Sequence, residues 1–545
     1  MIPVTSNLSF PDVPLQIRSC PDTGSTARTP PSNLWGKARR QMELDARVLP
    51  EGATLAADIC IVGAGPAGLA LAHELLGSGR HVVVLESGSR EAAPELQELN
   101  LAETSGDPYD RLERCRNRGI GGTAAIWNTW LHGVRLAKYL PLDASDFEAR
   151  DWVSLSGWPF GEAVLAPFYR RAHALCCPGP ADFQPEDWNT GGLPLLSFPQ
   201  GSLRNAIYQY GAASQFTEML PTRVAAAPAV QFVSRATVIG LTRSPGGERV
   251  VAMQWATESG NRGTVRAERF VLAAGGIENP RLLLLFLGER PWLGRGFMEH
   301  LIDSSLQLSS RHPALLDPEG FYAPRSTAAG QPVLGRIGLS QEMLRSERLR
   351  NTSLRLLQDE EPRLLRPTAR RALGRRFVPR QSVRRLIGNA VRGAARLTRS
   401  LRPARFQILI DLEQGPHPDN RVRLSGQRDG FGLARAKLHW EFRQEDRDHQ
   451  RRVIPLLIGE LERAGAGKIT AAPNVPIDPR QHHHSGTTRM HADPAGGVVD
   501  PNLRVHGMEN LFVTGSSVFP TAGFANPTLT ALALSVRLAD YLASS

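Results

Sequence analysis

Two spacings of apolar residues alternate along the chain. Residues 58–62 form a short apolar run that reads as a strand. Residues 66–79 repeat apolar positions at helical spacing, and 81–86 (HVVVLE) is a β-branched run suited to a buried strand. Strand, glycine turn, helix and strand in that order predict an α/β unit with parallel pairing. Apolar runs at 231–241, 249–257 and 264–273, separated by Pro245-Gly246-Gly247 and Ser259-Gly260, predict an antiparallel meander. Helical spacing returns over 162–177, 447–464 and 527–542, and no internal repeat is visible. The polar, proline-rich residues 1–50 predict an arm draped on the surface.

Composition narrows this picture. At 545 residues with 41% hydrophobic and 21% charged positions, the chain is globular and long enough for several domain units. Its five cysteines, Cys20, Cys60, Cys115, Cys176 and Cys177, are odd in number and contain no CxxC pair, so neither a disulfide framework nor a zinc site is indicated. No stretch approaches the roughly 18 apolar residues of a membrane helix. Arg39-Arg40 lacks the apolar run of an export signal, so a cytoplasmic protein is the expectation.

The net charge of +11 has a local origin. Fourteen arginines and no acidic residue lie between 362 and 405, while the other 50 basic residues face 53 acidic ones. Arg370-Arg371, Arg375-Arg376 and Arg384-Arg385 alternate with Leu373, Phe377, Val383, Leu386 and Ile387. This is a basic amphipathic pattern. It suits a solvated insertion packed on its own protein, or contact with an anionic membrane surface or acidic partner. Nucleic acid is not indicated, because no set of base-stacking aromatics accompanies the arginines.

The strongest local motif is Gly63-Ala64-Gly65-Pro66-Ala67-Gly68, a GxGxxG that follows a strand and opens a helix. Gly63 permits the tight turn, Gly65 admits a pyrophosphate to the backbone, and Gly68 lets helix and strand pack closely. The uncapped N–H groups and positive dipole end of the helix favour the phosphates. Glu86 ends the second strand where an acid receives ribose hydroxyls, with Ser87 beside it, so FAD or NAD is expected over NADP. A second glycine cluster, Gly119 to Ala125 with Gly121, Gly122 and Thr123, leads into Trp127 and Asn128 and suits close approach of a flat ring. Residues 271–276, containing Ala274 and Gly275, read as another strand ending in a glycine turn near the nucleotide.

The C-terminal block contains His482-His483-His484-Ser485-Gly486-Thr487 and, later, Ala525-Asn526-Pro527-Thr528-Leu529-Thr530. On one strand His483 would point away from His482 and His484, and no carboxylate or cysteine stands at ligand spacing, so a metal is not expected. A histidine general base suits the block better, with Asn526 able to orient the same hydroxyl. Pro527 at the first turn makes Thr528 the start of a helix whose positive end can stabilise an anion.

Together these motifs resemble the glucose-methanol-choline (GMC) oxidoreductase family. The resemblance also rests on residues 273–280 and 294–300, on Gly497 to Gly507, and on Asn510 to Ser516. It implies non-covalent FAD and oxidation of a CH–OH group by hydride transfer to flavin N5. His483 falls on the family's catalytic histidine and Asn526 on its second active-site residue, with His482 or His484 as the fallback base. The ending at 525–530 looks most like pyranose 2-oxidase and bacterial sugar and aminoglycoside oxidoreductases. Some relatives attach FAD through a histidine where this chain has Ile126, so no covalent link is expected there.

The resemblance further implies FAD contacts at Thr237, Val238, Gly515 and Ser516. The implied architecture is α/β (α+β overall). A Rossmann-like FAD domain is assembled from 51–140, 229–300 and 476–545. A discontinuous substrate domain, from 141–228 and 301–475, is built on an antiparallel sheet. A sugar, glycoside or aminocyclitol is the implied substrate, with an aliphatic or aromatic alcohol as alternative. A flavin-containing hydroxynitrile lyase shares the fold, as would a redox subunit docked through the arginine segment. No motif selects the electron acceptor among O2, a quinone and a redox protein.

Overall fold

The computed structural model describes residues 43–359 and 403–544, apart from 132, 178, 190, 191, 318, 328, 329 and 474. The arm up to residue 42 and nearly all of the arginine-rich segment lie outside the described residues.

The first sheet is built on strand Ala53–Val62, whose last four residues are buried. Val82–Leu85 is buried at all four positions and pairs parallel to it, with Ile59 opposite Val82. Val230–Ser234 and Glu43–Asp45 extend the parallel order on that side. On the other side, Arg262–Leu272 pairs parallel to Ala53–Val62 along nearly its whole length. Its early residues also pair antiparallel with Val250–Ala256, and its last three pair parallel with Leu511–Val513. The C-terminal block is therefore tied into the same sheet that holds the glycine turn. Helices Pro66–Glu74, Glu162–Cys176 and Thr528–Ser544 pack together over this region.

The run at 231–241 is two strands rather than one. Val230–Ser234 stays in the parallel sheet, and Thr237–Arg243 starts the antiparallel meander. Arg235 sits between them at φ 57°, a left-handed backbone that continuous strand cannot contain. The end of the expected arm also differs, since Glu43–Asp45 joins the sheet edge.

The second sheet runs Lys468–Ala471, His300–Ser310, Ala404–Glu413, Thr352–Gln358, Pro332–Leu339, Leu203–Ala212, Val134–Tyr139 and Thr129–Leu131. All of its pairings are antiparallel. It begins at Thr129, ahead of the expected boundary at 141. Leu354, Ile408, Ile410 and Ile337 are essentially inaccessible and form its core. Among the described residues no helix is long and apolar enough to cross a membrane.

Candidate active site

The two sheets meet around a cavity of about 490 Å³. Its floor at one end is the glycine turn. Gly63 has φ +107°, and a Cβ there would lie 2.8 Å from the carbonyl oxygen of Ala273, so only glycine fits without displacing the neighbouring strand. Gly65 is different. A Cβ added there would meet nothing closer than Gly122 Cα at 3.9 Å, and would project into the cavity. Helix Pro66–Glu74 starts at this point without a side-chain cap, leaving its first N–H groups available.

Glu86 lines the same end and is 6% exposed. One carboxylate oxygen accepts from Ala64 N–H and the other from Gly88 N–H, both at 2.8 Å. Burial raises its pKa, and those backbone donors oppose the rise. Glu86 thus pins the glycine turn to the end of the second strand, a task that the ribose-binding expectation did not include. Ser87 and Thr237 share a hydroxyl hydrogen bond at 2.7 Å, and Arg118 donates to Ser87 Oγ at 3.3 Å. Arg118 also pairs with Glu278 at 3.0 Å. Burial alone would raise the Glu278 pKa, but Arg118, Arg281 and Arg116 together hold it well below the usual carboxylate range.

Pro66, Ala67, Gly122, Thr123, Asn128, Val238, Ala274, Gly275, Gly515, Ser516, Pro527 and Thr528 also line this cavity, with Gly63, Gly65, Glu86, Ser87 and Thr237. Gly68 and Gly121 do not. A Cβ at Gly68 would come within 2.0 Å of Gly63 O, so Gly68 serves the contact between helix and strand. Gly121 donates its N–H to Ala64 O at 2.8 Å and so holds the two glycine loops together. Open glycine surface at Gly65, uncapped helix N–H groups and a long cavity reaching Asn526 fit the pyrophosphate and ring of an FAD.

The three adjacent histidines have separate partners. His482 is not in a strand and has φ 57°, so the three histidines do not follow the strand alternation expected of them. Its Nε2 lies 3.0 Å from Asp110 Oδ2. His484 is buried, with Nε2 3.8 Å from Cys115 Sγ and its ring against Phe297. His483 alone reaches Asn526, whose Nδ2 donates to His483 Nε2 at 3.0 Å.

The other ring nitrogen, His483 Nδ1, is 2.8 Å from His300 Nδ1. Only one of these atoms can carry the shared proton. His300 Nε2 faces the carbonyl oxygen of Ala522 at 3.3 Å and must donate to it. A neutral His300 then accepts at Nδ1, so His483 is protonated at Nδ1 and leaves its Nε2 lone pair toward Asn526 and the cavity. Burial lowers the pKa of both rings, and His483 falls well below the usual histidine value with His300 and Lys138 adding to the effect. His483 is therefore held in its neutral form at neutral pH.

Glu299 sets the backbone beneath this pair. It accepts from His483 N–H at 2.6 Å, His300 N–H at 2.9 Å and the Tyr109 hydroxyl at 2.6 Å. Burial lifts its pKa to about 8 against the pull of those donors. Asn279 joins the block to helix Gly275–Leu287 by donating to Thr514 O at 3.2 Å and Ser517 Oγ at 3.0 Å.

Sequence reasoning missed His300, Glu299, Lys138 and Gln481. His300 and Glu299 stood inside the quoted 294–300 motif, which was the available signal for them. Lys138 and Gln481 line the cavity from strand Val134–Tyr139 and from the residue before the histidines, with no local motif to mark either.

Residues 416–535 match the family model described as GMC oxidoreductase, and 61–91 match an NAD(P)-binding Rossmann-like domain. A fructose dehydrogenase large subunit from Gluconobacter japonicus is 23% identical over 89% of this chain and 98% of its own length. A paromamine 6'-oxidase from Streptomyces fradiae is 25% identical over 89% of this chain and 91% of its own. The solved structure of a variant of formate oxidase from Aspergillus oryzae RIB40 superposes with a TM-score of 0.53 at 17% identity, covering 91% of this chain and 99% of that one, and so shares the fold.

Proposed function

We propose that this chain, whose C-terminal domain is that of the GMC oxidoreductases, uses non-covalently bound FAD to oxidise the CH–OH group of a sugar-type alcohol, with His483 as base. The chain is an oxidoreductase of CH–OH donors, the class to which its named relatives belong. The observation that carries the finer reading is the hydrogen-bonded line Asn526–His483–His300–Ala522, which aims a basic Nε2 into the cavity that begins at the glycine turn.

FAD, when bound, supplies the acceptor for the hydride of the carbinol carbon. The remaining work belongs to the chain. His483 Nε2 takes the hydroxyl proton as the C–H bond breaks, and becomes an imidazolium that stabilises the developing alkoxide. Asn526 directs its amide N–H toward the same oxygen. His300 accepts from His483 Nδ1 throughout, which keeps the ring oriented. Ile126 occupies the position where some relatives carry a flavin-linking histidine, consistent with a non-covalent cofactor.

The test is an absorbance spectrum of the purified protein, followed by anaerobic addition of sugars, glycosides and simple alcohols. A band near about 450 nm that bleaches with one class is the expected result. His483→Ala should keep the band and lose bleaching by at least about 100-fold. Near-normal reduction in that variant would remove His483 from the base role.

A further inference from the structure

Across the cavity from the glycine turn, strand Val134–Tyr139 places Lys138 on the wall shared with His483, Asn526 and Gln481. Among the described residues its ammonium has neither an ion-pair partner nor a hydrogen-bond acceptor, and its side chain is half-buried against the cavity. The carboxylate that acts on it, Asp411, is already taken. Asp411 is paired with Arg336, accepts from Gln481 at 2.9 Å and has Arg355 at 3.8 Å. Three cations, Lys138, Arg336 and Arg355, thus stand against the single carboxylate of Asp411.

An ammonium half-buried on a cavity wall with no ion-pair partner is partly desolvated, a cost that a bound anion would offset. Burial, followed by the nearby arginine Arg355, pushes the Lys138 pKa well below the usual lysine value. An anion placed against it would restore its charge and supply the missing partner. A protonated amine in the same place would instead meet an excess of positive charge.

We propose that the alcohol oxidised at this site carries an anionic oxygen group, and that Lys138 is the residue that binds it. The carboxylate of a sugar acid and the phosphate of a sugar phosphate present the same kind of oxygen, and both classes satisfy the geometry. This inference rests on the alcohol-oxidising reading and narrows it away from aminocyclitols.

Anaerobic reduction of the flavin-loaded protein is measured with D-gluconate, D-glucose 6-phosphate, D-glucose and an aminocyclitol, in wild type and Lys138→Met. The variant should fold with an unchanged or raised Tm, because it loses a half-buried ammonium that has no ion-pair partner. Bleaching by an anionic compound at concentrations at least tenfold lower than D-glucose, with that preference lost in Lys138→Met, supports the proposal. Gluconate or the sugar phosphate as the preferred compound identifies which anion is read. Preference for D-glucose or the aminocyclitol overturns it and leaves alcohol oxidation standing. If no compound bleaches the flavin, the alcohol-oxidising reading fails instead. The anion site is then judged by titrating the oxidised protein with sodium D-gluconate and following the flavin absorbance. A shift present in wild type and weakened at least tenfold in Lys138→Met supports the site, and no shift in wild type overturns it.

Discussion

Replacing His300 by phenylalanine should slow substrate-driven flavin reduction while leaving substrate binding nearly intact. The side chain accepts from His483 Nδ1 at 2.8 Å and donates to Ala522 O at 3.3 Å, and it packs against His483 with ring centroids 4.9 Å apart. Phenylalanine preserves most of the ring contact and removes both polar atoms. His483 Nδ1–H then lacks an acceptor in a buried setting, a penalty of about 1–3 kcal/mol. The ring can avoid it by carrying its proton on Nε2, but that tautomer has no lone pair for the substrate hydroxyl. Recovering the reactive tautomer costs the same about 1–3 kcal/mol, so the reduction rate should fall about 5- to 150-fold. His300→Asn places an amide oxygen close to where Nδ1 stands and should recover much of the loss. The assay is stopped-flow bleaching under anaerobic conditions across substrate concentrations, which separates the limiting rate from half-saturation. A wild-type limiting rate in His300→Phe with flavin bound would refute the tautomer argument. Equal loss in His300→Asn and His300→Phe would show that the acceptor is not what matters.

The glycine turn offers two contrasting substitutions. Gly65→Val should fold with a Tm near wild type and purify with little flavin, because its side chain enters open cavity rather than protein; a full flavin complement by absorbance would refute this. Gly63→Ala should instead lose about 1–3 kcal/mol of stability in chemical denaturation, since its Cβ meets Ala273 O at 2.8 Å and its φ is +107°. His449, fully enclosed and donating or accepting with Thr352 Oγ1 at 3.0 Å, has its pKa lowered by burial to about 3. The unfolded chain binds its proton below about 6.5 while the folded chain does not, so this residue costs stability as pH falls from about 6.5 toward 3, by up to about 1.4 kcal/mol per pH unit. Denaturation curves between those limits should be flatter for His449→Gln than for wild type, and equal slopes would refute the assignment.

Much of the cofactor end was legible because its chemistry is local. A glycine turn between a strand and a helix needs a left-handed backbone at Gly63 and uncapped N–H groups at the next residues, and both are dictated by neighbours in sequence. The helix Thr528–Ser544 was likewise readable from its proline start and apolar spacing. The run at 231–241 was misread because apolar alternation carries no record of the left-handed Arg235 that divides it between two pairing partners.

What sequence alone determined, then, was the nucleotide-binding turn and the candidacy of His483 and Asn526, the latter two through family resemblance. Tertiary structure decided what those residues experience. His300 meets His483 across 183 positions of chain, so the tautomer of His483 depends on a contact that no local pattern records. The neutral state of His483 comes from burial, and Glu86 is committed to two backbone donors by the approach of Ala64 and Gly88. Lys138 is an ordinary lysine in its strand until the two sheets meet around the cavity that it lines. Desolvation and ion pairing depend on which distant groups arrive at the same place, and that is settled only when the sheets pack together.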